Sequence, residues 1–214
     1  MRRNILSVMA IVLLALSFTS CKKEQIGTGY IQFTNASELS SPVDFYVSDI
    51  KKNSNALAYT QSTGYFALSA KKQPANVKVS LTGTSVFNFD VTPADATYYS
   101  VFYISEGTAV AYPDAFSAPA TGKARVRFIN LNMAAAISND FGISGGAKLV
   151  SALEAKLPSD YYDVAPGATF AAYVTGTTTV LLNIPTTIEA GHIYTIYLSG
   201  KNDAGLKANV LLQK

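Results

Sequence analysis

The sequence predicts an all-β protein, two tandem immunoglobulin-like β-sandwich domains behind a cleaved N-terminal signal. Three observations carry that reading. Val, Ile, Thr, Tyr and Phe dominate between frequent turn residues, which is strand composition. Five landmarks recur in one order at numbering offsets of 93 to 96 residues, which is the mark of a duplicated domain. Each repeat of roughly 95 residues holds about seven short alternating segments with turn signals every 8–12 residues, the pattern of a sandwich.

Residues 1–20 have the three parts of an export signal. Arg2 and Arg3 give a positive start, Ile5 to Leu16 is apolar, and Thr19 and Ser20 are small residues before a cleavage point. The apolar run is shorter than the roughly 20 residues a bilayer-spanning helix needs. A transmembrane anchor and a plain secretory signal are the alternatives. The second would leave a reactive free thiol in an oxidising compartment. Phe18-Thr19-Ser20-Cys21 resembles the lipobox of bacterial lipoproteins, an apolar residue and two small ones before cysteine. The resemblance implies cleavage before Cys21, lipid on its sulfur and an outer-membrane or surface location. Each buried CH₂ contributes roughly 0.8 kcal/mol, so two or three acyl chains hold a protein on a membrane where one does not. Lys22-Lys23-Glu24-Gln25 looks like the charged leaders of lipoproteins of the Bacteroidetes type. Residues 21–29 are read as a tether.

Cleavage would leave 194 residues, with 15 basic against 14 acidic side chains and a net charge of +1. No basic cluster exceeds a pair, which argues against a nucleic-acid partner. Cys21 is the only cysteine, so no disulfide or thiolate metal site can form within the chain.

In the first domain, taken as residues 30–111, Tyr30 to Thr34 alternates as a half-buried strand, and Ser40-Ser41-Pro42 breaks it. Val43 to Val47 follows, then a polar loop over Lys51 to Asn55. Ala56 to Thr60 and Gly64 to Leu68 read as short strands. Val77 to Leu81 and Val86 to Val91 flank the turn signal Thr82-Gly83-Thr84. Tyr98 to Ile104 is the strongest strand. Residues 112–122, with Pro113, Pro119 and Gly122, are read as a linker. The second domain, 123–214, starts over. Arg125 to Asn130 repeats Tyr30 to Asn35, and Asp140 to Ile143 repeats Asp44 to Val47. Tyr161-Tyr162 follows Tyr65-Phe66, Thr175-Gly176-Thr177 follows Thr82 to Thr84, and Tyr194 to Tyr197 follows Tyr99 to Phe102. Ala147 to Leu157 carries Leu149, Val150, Leu153 and Leu157 at helical spacing. Its counterpart reads as strand, so strand is expected, with a short helix as the alternative. The expected core is Ile31, Phe33, Phe45, Val47, Val79, Leu81, Val101 and Tyr103 in one half. In the other it is Val126, Phe128, Phe141, Ile143, Val174, Ile196 and Leu198.

Ile31 to Ser37, Pro42 to Val47 and Ala58 to Phe66 resemble the opening and middle of the bacterial domain-of-unknown-function 4397 family. In the second repeat Ala124 to Asn130, Val164 to Gly167 and Tyr194 to Tyr197 resemble its start, its loop and its last long strand. The resemblance implies an exported or lipid-anchored protein of sandwich domains, and it carries no catalytic residues to transfer.

Chemistry-bearing residues are few. His192 is the only histidine, and no Gly-x-Ser-x-Gly elbow accompanies it. One histidine without a free cysteine does not suit zinc. Asn202-Asp203-Ala204-Gly205 lacks the spaced oxygens of a calcium loop and reads as a hairpin turn. Asp44 and Asp140 occupy matching places and are expected to accept hydrogen bonds from nearby loop amides. Thirteen tyrosines, including Tyr98-Tyr99 and Tyr161-Tyr162, could supply a sugar or protein platform. In each pair one ring is expected in the core and one outside. No catalytic, cofactor or metal residue is assigned; the one assigned site is lipidation at Cys21. The expected role is a non-enzymatic interaction or scaffolding module of the envelope. A carbohydrate-binding accessory protein of polysaccharide uptake and a surface-fibre or adhesin subunit are the alternatives.

Overall fold

The computed structural model describes residues 26–105, 107–133, 138–184, 186–200 and 205–213. The signal segment, Cys21, the tether up to Gln25 and residues 202–204 of the expected turn over 202–205 lie outside them.

The first domain is built from β1 (Thr28–Asn35), β2 (Val43–Val47), β3 (Ile50–Lys51), β4 (Ser62–Ser69), β5 (Gln73–Val79), β6 (Ser85–Val91), β7 (Tyr98–Ser105) and β8 (Thr108–Asp114). The second uses β9 (Ala124–Asn130), β10 (Asn139–Ile143), β11 (Lys148–Leu153), β12 (Pro158–Val164), β13 (Phe170–Val174), β14 (Val180–Ile184), β15 (Ile193–Ser199) and β16 (Lys207–Leu212). Each domain is a sandwich of two four-stranded sheets. Their orders are β4-β1-β7-β8 over β3-β2-β5-β6, and β12-β9-β15-β16 over β11-β10-β13-β14. The pairs β1–β7 and β9–β15 are parallel, with Tyr30 beside Tyr98 and Arg125 beside Ile193. The same register at the same 95-residue offset is direct geometric support for the duplication.

Alternation fills each core. In the first, Ile31, Phe33, Phe45, Val77, Val101 and Tyr103 are buried together. In the second, Val126, Phe128, Phe141, Phe170, Ile196 and Leu198 are. Phe33 stacks on Phe45 with ring centroids 4.1 Å apart, and their counterparts Phe128 and Phe141 lie 5.0 Å apart. Small local devices repeat as well. The Thr63 hydroxyl accepts from the Phe33 amide and the Ser159 hydroxyl from the Phe128 amide, each at a bulge in the pairing with β1 or β9. The left-handed residues Thr60 and Lys156 donate backbone N–H to the carbonyls of Asn35 and Asn130.

Several expectations are corrected. Each domain has eight strands, one more than the spacing suggested. The first gains two strands, the short β3 and β8, and β8 carries residues 112–114, assigned to the linker, into pairing with β7. Ala56 to Thr60 is no strand: it keeps one bridge, Leu57 with Val43, and then turns. Leu81 is 94% exposed rather than core. The hairpin closes early, with Val79 bonded to Thr84, so Leu81 falls in the loop. Val174 is likewise exposed, at the end of β13 where its amide closes a turn onto Thr179. The stretch with helical spacing forms strand β11. Lys148 and the Ala152 amide both bond Asp140 on β10, which holds the segment extended beside that strand.

Candidate functional site

The two sandwiches pack through faces that alternation alone would leave in water. The outer face of β4-β1-β7-β8 lies on the outer face of β12-β9-β15-β16. A third apolar cluster forms between them from Phe102, Ile104 and Tyr112 on one side and Ile129, Tyr197 and Leu211 on the other. Around it runs a buried polar network. Arg127, 2% exposed, forms an ion pair with Asp114 and donates to the Pro113 carbonyl (2.8 Å) and the Thr195 hydroxyl (2.9 Å). Asp114 also accepts from Tyr65 (2.7 Å), Ser100 (2.9 Å) and Gln213 (2.8 Å). Removing an ion pair from water is costly, and these extra donors offset the penalty. Burial and the neighbouring Asp114 carboxylate push the Tyr65 phenol well above its ordinary value, so it stays a donor.

This seam follows the duplication. Phe102 and Tyr197 are counterparts, and their rings meet at 5.2 Å. Asp114 lies opposite Tyr98 and Gln213 bonds Ile193, the residue 95 positions on from Tyr98, so these two are counterparts as well, and they too touch. Tyr65 donates to Asp114; its counterpart Tyr161 donates to Gln213 at 3.0 Å. Equivalent residues meeting across an interface is the pattern made by a two-fold axis.

Such an arrangement brings corresponding loops to one end. There the β1–β2 loop, the β5–β6 hairpin and the end of β7 meet Met133, Gly200 and Gly205 of the second domain around a cleft of about 830 Å³. Val43, Val79, Val86, Ile104 and Met133 give it an apolar floor, and Ser37, Ser40, Ser41 and Ser105 a hydroxyl rim. Glu38 in one wall pairs with Lys207, tying the β1–β2 loop to the start of β16 in the second domain. Clefts between domains are the usual place for ligands.

The residues chosen from sequence go elsewhere. Cys21 lies outside the described residues. His192 is on the surface, 3.7 Å from Glu189. Asp44 accepts from Lys51 (2.9 Å), Asn53 (2.8 Å) and Ser80 (3.0 Å). Asp140 accepts from Lys148 (2.6 Å) and the amides of Ala152 (2.7 Å) and Gly176 (3.0 Å). Burial works against both carboxylates, yet the lysines and hydrogen bonds outweigh it and hold each below the usual carboxylate range. One loop amide, that of Gly176, serves Asp140 as expected, and the other comes from Ala152 on β11; at Asp44 side chains replace them. In the tyrosine pairs Tyr99 and Tyr162 pack on the cores, while Tyr161 enters the seam. Tyr98 stacks on Tyr30 at 4.4 Å under Phe116 of the connecting segment. Sequence reasoning missed Arg127, Asp114 and Gln213. The available signal was Arg127 itself, a charge alternating with Val126 and Phe128 where its counterpart is the neutral Gln32.

Among the described residues no group of three or more His, Cys, Asp or Glu side chains is placed to hold a metal, and no helix is long and apolar enough to cross a membrane. No curated protein matches the sequence. The crystal structure of CBMbc (family CBM26) from Eubacterium rectale Amy13K in complex with maltoheptaose is similar at 12% identity, over 85% of this chain and 96% of that one, with a TM-score of 0.26. A likeness at that score carries no argument about ligand. The model of the domain of unknown function DUF4397 matches residues 29–138, which take in the first sandwich, the connection and β9. With just over half its length matched, the chain belongs to the DUF4397 family.

Proposed function

We propose that this protein is a non-catalytic binding module of the cell envelope, held to the outer membrane by lipid on Cys21, that presents the interdomain cleft to a protein partner. The observation that carries the reading is the direction of β1. It begins at Thr28, seven residues after Cys21, and its far end leads straight into the loop that walls the cleft. Eight extended residues span about 26 Å, which supports a cleft held at the far end of the first domain from an anchor at Cys21. The buried acids support a binding role over catalysis: Asp44, Asp114 and Asp140 each spend their oxygens on structural donors. An apolar floor with a neutral rim suits the side chains of a protein segment. A glycan would want an open aromatic platform. The strongest aromatic group, Tyr30, Tyr65, Tyr98 and Phe116, is packed on itself beneath the connecting segment instead.

Two measurements test this. Mass spectrometry of the native protein should show a lipid-modified Cys21 at a new N-terminus; an unmodified thiol on a released product removes the anchor. Pull-down from native envelopes should return a partner that Val86→Asp, in the cleft, loses and Ile50→Asp, at the opposite end of the sandwich, keeps. Equal recovery by both variants removes the cleft, and specific retention on a glycan array in place of a protein partner would favour the carbohydrate reading.

A further inference from the structure

We infer that the seam between the sandwiches is a self-complementary docking surface whose partner can be a second copy of this chain, paired strictly first domain to second. The two-fold pattern makes the face complementary to itself. Phe102 faces Tyr197, Asp114 faces Gln213, and the donors Tyr65 and Tyr161 serve matching acceptors. A face that fits its own duplicate in one chain fits the same duplicate in another chain. The connection between Asp114 and Ala124 is the only covalent link across the seam. Exchange of identical elements between copies is an inexpensive route to a dimer under those conditions.

The charges decide which faces may meet. The counterpart of Arg127 is Gln32, and the counterpart of Asp114 is Gln213. First domain on second domain joins one carboxylate to one guanidinium, both nearly or fully buried. First on first would bury two Asp114 carboxylates with no cation between them. Second on second would bury two Arg127 guanidiniums against neutral glutamines. An unpaired buried charge is the strongest rejection a protein surface offers. The seam therefore excludes like-with-like pairing, and with one or two chains it leaves two closed states: the monomer, and a reciprocal dimer in which each copy's first domain docks on the other's second.

Charge-swapped full-length chains test this. Arg127→Asp places two acids in the seam, and Asp114→Arg places two bases. Each variant alone should be monomeric, with Tm lowered by roughly 10 °C. Mixed in equal amounts they should form a species of twice the mass with most of the Tm recovered, because both seams of the mixed dimer then pair acid with base. A mixture that keeps the mass and Tm of its components overturns the proposal, and so does either variant dimerising by itself. Should a single variant fail to fold, the double variant carrying both changes in one chain keeps the question open to measurement. Restored monomer stability supports charge reading by the seam, and no restoration overturns it.

Discussion

The two sandwiches answer the same structural demands with different chemistry, and the differences concentrate where the domains meet or open. The frame is shared. Asn35 donates to the Leu57 carbonyl at 3.0 Å and accepts from Ser37; Asn130 donates to Leu153 at 3.0 Å and accepts from Asn132. Lys51 pairs with Asp44 and Lys148 with Asp140. At the seam the counterparts part company, Gln32 against Arg127 and Asp114 against Gln213. At the loop end they do so again. Val43 is a core residue at the cleft floor, while Asn139 in the same place of the second domain buries both amide atoms without a partner among the described residues. A duplicated fold keeps what closes each domain and varies what lies between or above them.

The largest test of that contrast is at the seam. Arg127→Met leaves Asp114 buried without its cation and should cost about 3–5 kcal/mol in denaturant unfolding. Gln32→Met, its counterpart, removes only a long 3.4 Å contact to Ser62 and should cost under about 1 kcal/mol. Similar losses from both would mean that the asymmetry has no energetic content.

Next comes the shared frame. Asn35→Ala and Asn130→Ala each remove a buried amide that ties a loop to the sandwich, at an expected cost of about 1–3 kcal/mol. Here the two values should agree within about 0.5 kcal/mol. A large mismatch would show that equal geometry in the two domains does not mean equal support.

Asn139→Val makes the second domain imitate the first. Removing an unsatisfied buried amide in favour of an apolar side chain of similar size should stabilise the protein by about 1–2 kcal/mol. The reverse change, Val43→Asn, should destabilise. Destabilisation by Asn139→Val would reveal a partner for that amide and tie it to function.

What was legible in the sequence was whatever one strand reports by itself. The alternation of Ile31 and Phe33, or of Val126 and Phe128, gives the inner face of a sheet, and the offset between them gives the duplication. Boundaries were less legible. Leu81 continues the alternation of Val77 and Val79, but Gly83, with φ of +70°, closes the hairpin two residues sooner. The seam was not legible, because Gln32, Ser100, Thr195 and Gln213 read as a polar outer face. Only the second copy of that face, brought against it, turns hydroxyls and amides into a buried network. The cleft depends on the same event. Its walls are distant in sequence and come together once the sandwiches pack.

The smallest expected effect separates Asp44 from Asp140. Both carboxylates sit below their ordinary value in the folded chain. Each therefore adds stability that is fully present above about pH 4 and is lost as pH falls through the folded value. Unfolding free energy measured from pH 6 down to pH 2 should decline for the parent, and less steeply for Asp44→Asn and Asp140→Asn. The slopes should differ between the variants. Asp140 holds two backbone amides, which cannot turn away when the carboxylate is lost, whereas the groups around Asp44 are side chains, and two of them, Lys51 and Ser80, are partly exposed and can turn toward water. Asp140→Asn should thus cost more at pH 6 and flatten the acid limb more. Identical limbs would show that the two domains differ only where they touch, and that the acid sites, however differently built, do equal service.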